Sequence, residues 1–212
     1  MSSEESGDDD VRLIRAWHDG DRSAGQALIR RYHEPLTRFF RTKAFQHTDD
    51  LVQRTFLALA ESLGRFRGAS SVRAFLFGIA RNVLFEFYRS RKKHGNAPDF
   101  SVQSLVDLAP GLSTQAAARS ERWVLLQALH RIPADLQSLL ELHYWEGLSV
   151  EELGAVFEVA PGTIKSRMHR ARGLLKDEME RVPADRGLLA SSQTLYKHWI
   201  RIAAAGRNEP PE

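Results

Sequence analysis

Along this 212-residue chain the apolar residues recur at three- and four-residue intervals, and period-two alternation is nowhere sustained. The pattern predicts an all-α protein. Asp10 is placed to cap a short helix carrying Val11, Ile14 and Trp17. After "DGDRS" a second helix presents Ala24, Ala27, Leu28 and Tyr32, with Pro35 expected to bend or interrupt it before Phe39 and Phe40. Thr48 is placed to cap a third helix, "DDLVQRTFLALAESL". Its Val52, Phe56, Leu59 and Leu63 fall at i, i+4, i+7 and i+11, and Asp49 and Asp50 suit the positive end of its dipole. The loop "GRFRGAS" leads into a fourth helix, about 71–93, with Val72, Leu76, Ile79 and Val83 on its inner side.

The pattern lapses from Gly95 to about Ala118, where Gly, Pro, Ser and Ala dominate and apolar islands are short. Fully extended, such a linker reaches roughly 80 Å at ~3.3 Å per residue. Periodicity resumes at "SERWVLLQALHRI", stops at Pro133 and restarts as "ADLQSLLELHYWEG". Beyond Pro183, Leu188, Ser192, Leu195, Trp199 and Ile202 can share one helix face, most simply packed back on the second module. A docking helix, a partner site or a membrane-surface segment are the alternatives for that tail. The expected organisation is therefore an acidic, disordered N-terminus (1–10), a helical module (11–94), a flexible linker (95–119), a second helical module (120–182) and a C-terminal extension of unassigned role (183–212).

Composition narrows the class. Hydrophobic residues make up 42% and charged residues 27%, as in an ordinary globular protein. The run "AFLFGIA" is too short to span a bilayer, and "MSSEESGDDD" is no secretory signal, so a cytoplasmic protein without membrane insertion is expected. The absence of cysteine excludes disulfides and thiolate-bound zinc. No metal-ligand spacing such as H-E-x-x-H occurs, and His18, His33, His47, Glu34 and Asp49 form no catalytic pattern, so no cofactor, no metal and no enzyme activity is expected. The net charge of +3 hides two basic zones. Residues 64–94 hold eight bases against the single acid Glu86, and "PGTIKSRMHRARGLLK" (161–176) holds five bases and no acid. Such zones in a nearly neutral chain point to nucleic acid.

The second zone has helix-turn-helix grammar. Ser149 and Glu152 make an S-x-x-E capping box, Leu153, Val156 and Phe157 give the first helix an inner face, and "EVAPG" makes the turn. Pro161 fits the first position of the next helix. There Ile164, Met168, Ala171 and Leu175 face inward, which leaves Lys165, Ser166, His169, Arg170 and Arg172 mainly outward, with chemistry suited to base edges and phosphates.

The two modules together resemble the small, two-domain extracytoplasmic-function (ECF) group of bacterial sigma-70 factors. "TDDLVQRTFLALAESLGRFRG" and "FLFGIARNVLFEFYRSRKK" carry the resemblance in the first module, and "LLQALHRIPADLQSLLELHYWEGLSVEELGAVFEVAPGTIKSRMHRARGLL" in the second. It implies a specificity subunit that binds core RNA polymerase, at the largest subunit's coiled coil and the flap region. It also implies reading of promoter DNA as duplex at −35 and as single strand at −10. Asp50, Leu51, Gln53 and Phe56 match the D-L-x-Q positions for polymerase, with Arg54 and Leu57 as neighbours. Asn82 of "IARN" matches the base-capturing asparagine, flanked by Arg81, Tyr88 and Arg89; Arg65 and Arg67 are candidate phosphate contacts. Lys165, Ser166, His169 and Arg170 match the −35 recognition positions, and Thr163, Arg167 and Arg172 lie beside them. An anti-sigma factor is the partner the resemblance adds. Departures are mild: Thr48 and Asp49 stand where alanine and glutamate are common, Phe75 for tryptophan, Ile132 for leucine and Gln137 for arginine. Two rivals are a stand-alone helix-turn-helix regulator, for which no sensing site is visible, and a sigma-mimicking adaptor.

Overall fold

The computed structural model describes residues 3–91, 99–100, 103–104 and 121–182. Helices and no strand occur among these residues. The chain divides into two compact units, the first built from residues up to Phe87 together with Gly154–Glu158, and the second from Tyr88 to Leu153 and from Val159 on.

The first unit begins earlier than its acidic sequence suggests. Helix α1 runs Ser3–His18 rather than starting after a disordered 1–10 segment. The reason is tertiary: buried Asp10 accepts hydrogen bonds from Arg31 and Tyr32 of the second helix, and Arg31 also reaches Asp9 at 2.6 Å. Asp10 is thus a partner of α2 and not a cap. The Arg31 hydrogen bond holds the Asp9 carboxyl below the usual carboxylate range, while burial pushes the Tyr32 phenol far up.

Helix α2 spans Arg22–Ala44 and starts at Asp21, whose carboxylate accepts from the N–H groups of Ser23 (2.8 Å) and Ala24 (3.4 Å). It continues through Pro35, where a bend or an interruption was expected, without being interrupted. A side chain at Gly25 would sit 2.6 Å from the Trp17 ring, so glycine is what lets α1 lie close along α2. Buried Leu28, Leu36, Phe39 and Phe40 line the inner side of α2. Phe39 meets Phe40 and Phe77 edge-on at 5.2 and 5.7 Å, contacts worth about 0.5–1.5 kcal/mol each beyond burial.

Helix α3 spans Thr48–Glu61 and α4 spans Val72–Arg91. Thr48 opens α3 from inside, its hydroxyl donating back to the Phe45 carbonyl at 3.0 Å rather than capping forward. The buried face of α3 is Leu51, Val52, Thr55 and Leu59, turned from the expected stripe so that Phe56 is only half-buried. Thr55 can occupy that core position because its hydroxyl donates to the Leu51 carbonyl at 2.7 Å. In α4 the expected Val72, Leu76 and Val83 are buried, Ile79 is half-buried, and Phe77, Phe85, Phe87 and Tyr88 are all interior. Ser71 starts the helix by accepting from the Ala74 N–H at 3.1 Å.

Later in the chain follow α5 (Glu121–Arg131), α6 (Ala134–Tyr144), α7 (Val150–Phe157) and α8 (Pro161–Arg181). Helix α6 is enclosed on nearly every side, with Leu136, Leu139, Leu140, Leu142 and even Gln137 and Glu141 buried. Gln137 donates to Glu141 at 2.7 Å, which partners its amide nitrogen inside, while its amide oxygen is buried without a hydrogen bond. Helix α8 packs against α5 and α6.

Pro133 precedes α6 and offers it no side-chain cap. Instead the Ala134 N–H donates to the Gln103 carbonyl and the Asp135 N–H to the Phe100 carbonyl, each at 3.0 Å. Phe100 is buried, and Ser104 bridges to Pro133. Part of the stretch expected as a free linker is therefore fastened to the second unit. The tail face of Leu188, Ser192, Leu195, Trp199 and Ile202 lies outside the described residues.

Candidate nucleic-acid and polymerase interfaces

In the second unit, α7 opens with the reciprocal capping box its sequence announces. Ser149 N–H donates to the Glu152 carboxylate at 2.8 Å, and Glu152 N–H to the Ser149 hydroxyl at 3.1 Å. The turn into α8 places Glu158 at φ 55°, a left-handed conformation that strains a residue with a side chain. Pro161 then begins α8, and the N–H groups of Thr163 and Ile164 fold back on the Ala160 carbonyl.

Ile164, Met168, Ala171, Leu175 and Met179 form the buried stripe of α8, as the sequence predicts. Thr163, Lys165, Ser166, His169 and Arg170 are exposed together on its first three turns. Arg167 and Arg172 are half-buried. Arg172 donates to the Met168 carbonyl at 3.2 Å and is hydrogen-bonded to Tyr144, so it braces α8 against α6. With no acid in its first turn, α8 keeps the positive end of its dipole uncompensated for phosphate.

The opposite economy holds in α4. Ahead of its exposed last residues Ser90 and Arg91, a narrow edge is open: Asn82, Glu86 and Arg89, at i, i+4 and i+7. Arg81 is half-buried, its guanidinium 4.5 Å from the Phe85 ring. Tyr88, expected as a stacking plane, is buried instead, and burial pushes its hydroxyl up to about 12. Before α4, Phe66 packs on Phe75 with ring centroids 5.5 Å apart and pins the loop, leaving Arg65 and Arg67 on either side exposed.

On α3 the exposed stripe is Asp50, Gln53, Arg54 and Leu57, the last 61% exposed. Arg54 pairs with Asp50 at 3.9 Å across one turn, a contact open to solvent and worth little. Leu51 departs from expectation, since it is wholly buried and belongs to the core. Phe45, 68% exposed just ahead of α3, was not singled out from the sequence; its signal is an apolar residue outside the helical period.

Among the described residues no group of three His, Asp or Glu could hold a metal ion, and no helix is long and apolar enough to cross a membrane.

Comparison with known proteins matches the two modules in order. Residues 28–94 fit the family model for sigma-70 region 2, and residues 122–175 fit that for sigma-70 region 4. The "ECF RNA polymerase sigma factor SigM" of Mycobacterium tuberculosis is 30% identical over 168 residues, 78% of this chain and 82% of that one. The "ECF RNA polymerase sigma-E factor" of Escherichia coli is 26% identical over 180 residues, covering 81% of this chain and 94% of that one. Among solved structures, CnrH in complex with the cytosolic domain of CnrY shares the fold, with a TM-score of 0.60 at 22% identity over 82% of this chain and 99% of that one. The sigma factor RpoE of Bartonella quintana, in complex with the anti-sigma factor NepR, gives a TM-score of 0.55 at 25% identity, over 74% and 97% of the two chains.

Proposed function

This chain belongs to the sigma-70 family, in its ECF group, and from that premise we propose how its residues divide the work of promoter selection. An ECF sigma factor binds core RNA polymerase and promoter DNA and directs transcription initiation. In our reading α8 lies on the −35 duplex through Lys165, Ser166, His169 and Arg170, with Thr163 and Arg167 on phosphate and Arg172 as their brace. Asn82 on α4 receives an unstacked −10 base, and Arg65, Arg67, Arg81 and Arg89 neutralise the flanking strand. Asp50, Gln53, Arg54 and Leu57 on α3, with the half-buried Phe56 beneath them, meet the polymerase coiled coil.

One observation carries this reading: two modules in sigma order, each with its polar face open where the family's motif falls. The chain supplies recognition and no catalytic step of its own, and it works in the cytoplasm beside polymerase. Tethering two weak readers to one enzyme raises the effective concentration of each for the other's promoter. An anti-sigma protein covering these faces is the regulator we expect, because two structural relatives are seen in such complexes or with a cytosolic partner domain.

The test is run-off transcription by core polymerase on fragmented genomic DNA, with and without the protein. Start sites sharing −35 and −10 elements are expected only with it. Tight, specific duplex binding in the absence of polymerase would instead favour a stand-alone regulator.

A further inference from the structure

None of the residues given a functional role above lies on α1, yet that helix is held within the first unit at both ends of its second half. At one end the buried Asp10 carboxylate accepts from Arg31 and Tyr32 of α2. Arg73, in the first turn of α4, is close enough to the Tyr32 phenol to oppose the upward push of burial on it. Asp10 therefore sits in a node that joins α1, α2 and the start of α4. Roughly 12 Å further along the axis, His18 ends the helix. Its imidazole lies 3.5 Å from where a side chain on Gly64 would begin, and α1 packs against the 3-10 turn Leu63–Arg65.

That turn opens the loop that carries Arg65 and Arg67. Within the loop the Arg65 N–H donates to the Ser62 carbonyl at 2.8 Å and the Phe66 N–H to the Leu63 carbonyl at 3.1 Å. The Phe66 ring rests on Phe75. A single ring contact fixes one point and leaves the backbone around it free to pivot. His18 against Gly64 supplies the second point, so that Arg65 stands between two anchored residues and Arg67 directly follows the second of them. Both arginines are exposed, and the backbone that carries them is placed before any strand arrives. Ordering a loop at the moment of binding costs affinity, and a loop already ordered is spared that loss.

We propose that α1 is a brace for the −10 loop: Asp10 locks the helix onto α2, and His18 at its end steadies Gly64, so that Arg65 and Arg67 meet the opened strand already positioned. The proposal rests on the reading of that loop as a −10 contact and adds Asp10 and His18 to it as positioning residues. Both act through the loop and not by touching DNA themselves.

Hydrogen exchange at the Arg65 and Phe66 amides of the full chain reads the brace without polymerase. Asp10→Asn takes one acceptor away from Arg31 and Tyr32, and His18→Ala removes the contact on Gly64 from an exposed position. Each should speed exchange at the two amides by about two- to tenfold and leave the buried stretch of α4 as slow as before. Unchanged exchange in either variant overturns the brace, and should Asp10→Asn fail to fold, His18→Ala decides alone. A matching rise throughout α4 in His18→Ala marks general loosening of the unit and overturns it as well. With core polymerase and promoter, both variants should lower permanganate-detected opening at −10 by about two- to tenfold at unchanged core affinity. In a chain carrying Arg65→Ala and Arg67→Ala that further loss should vanish, because the brace acts through those side chains. The same loss in that background overturns the positioning role. Normal opening by the double arginine variant itself overturns the −10 assignment of the loop, and the exchange measurement separates that failure from failure of the brace.

Discussion

Helices α4 and α8 are almost equal in length, 20 and 21 residues, and both carry several arginines, yet they expose opposite fractions of themselves. Helix α8 buries one stripe and opens the rest, which gives a broad basic face of the kind a duplex groove accepts. Helix α4 buries or half-buries everything from Val72 to Tyr88 except Asn82 and Glu86, which open a narrow edge. A narrow polar edge backed by packed aromatics cannot lie along a groove, but it can hold one base against a fixed wall. The difference teaches that charge alone does not tell the two proposed readers apart; the width of the exposed face does.

The comparison can be broken most severely at its foundation. Ile164→Ala removes a fully buried anchor of α8 and should cost the second unit about 2–5 kcal/mol, seen as a lowered melting transition while the α1–α4 unit melts as before. Next in size, replacing Lys165 and Arg170 together by alanine should weaken −35 duplex binding about 30-fold or more, with a shallower salt dependence and unchanged core binding. Asn82→Ala should act at the other reader, lowering open-complex formation by about tenfold in permanganate footprinting and sparing both −35 and core affinity. Equal loss of core binding would remove Asn82 from its assigned role.

Smaller effects sharpen the contrast. Glu158→Gly relieves the left-handed turn ahead of α8 but adds freedom to the unfolded chain, for a net gain of about 0.5 kcal/mol in the second unit by denaturant titration. Acid should touch the first unit alone through Asp9 and Asp21. The hydrogen bond from Arg31 holds the Asp9 carboxyl below the usual carboxylate range, and the bonds from Ser23 and Ala24 do the same for Asp21. A depressed carboxyl stabilises the fold above the unfolded pKa, and that contribution fades as the pH falls through the lower folded value. Circular dichroism at falling pH should therefore show α1 and α2 loosening below about pH 4.

Much of this was legible in the sequence because it is local. The S-x-x-E box, Pro161 and the four-residue stripe of α8 each act within one or two turns, and all stand where the pattern puts them. Features decided by distant partners were not. The start of α1 depends on Arg31 and Tyr32, some twenty residues away, so its acids read as a solvated tail. The inward turn of Thr55 in place of Phe56 depends on a hydroxyl bond that hydrophobic periodicity does not register. Burial of Tyr88 and of Leu51 likewise follows from packing, which a motif match cannot see.

The carbonyls of Phe100 and Gln103 at the mouth of α6 also bear on how such factors can be recombined. A hybrid that takes its upstream-element specificity from this chain, spliced at the first residue of α5, would leave α6 without the donors' partners it folds with. The transferable piece starts at Asp99. Promoter-swapping hybrids joined before that residue should melt at higher temperature than those joined after it, even though both carry every residue proposed to touch DNA.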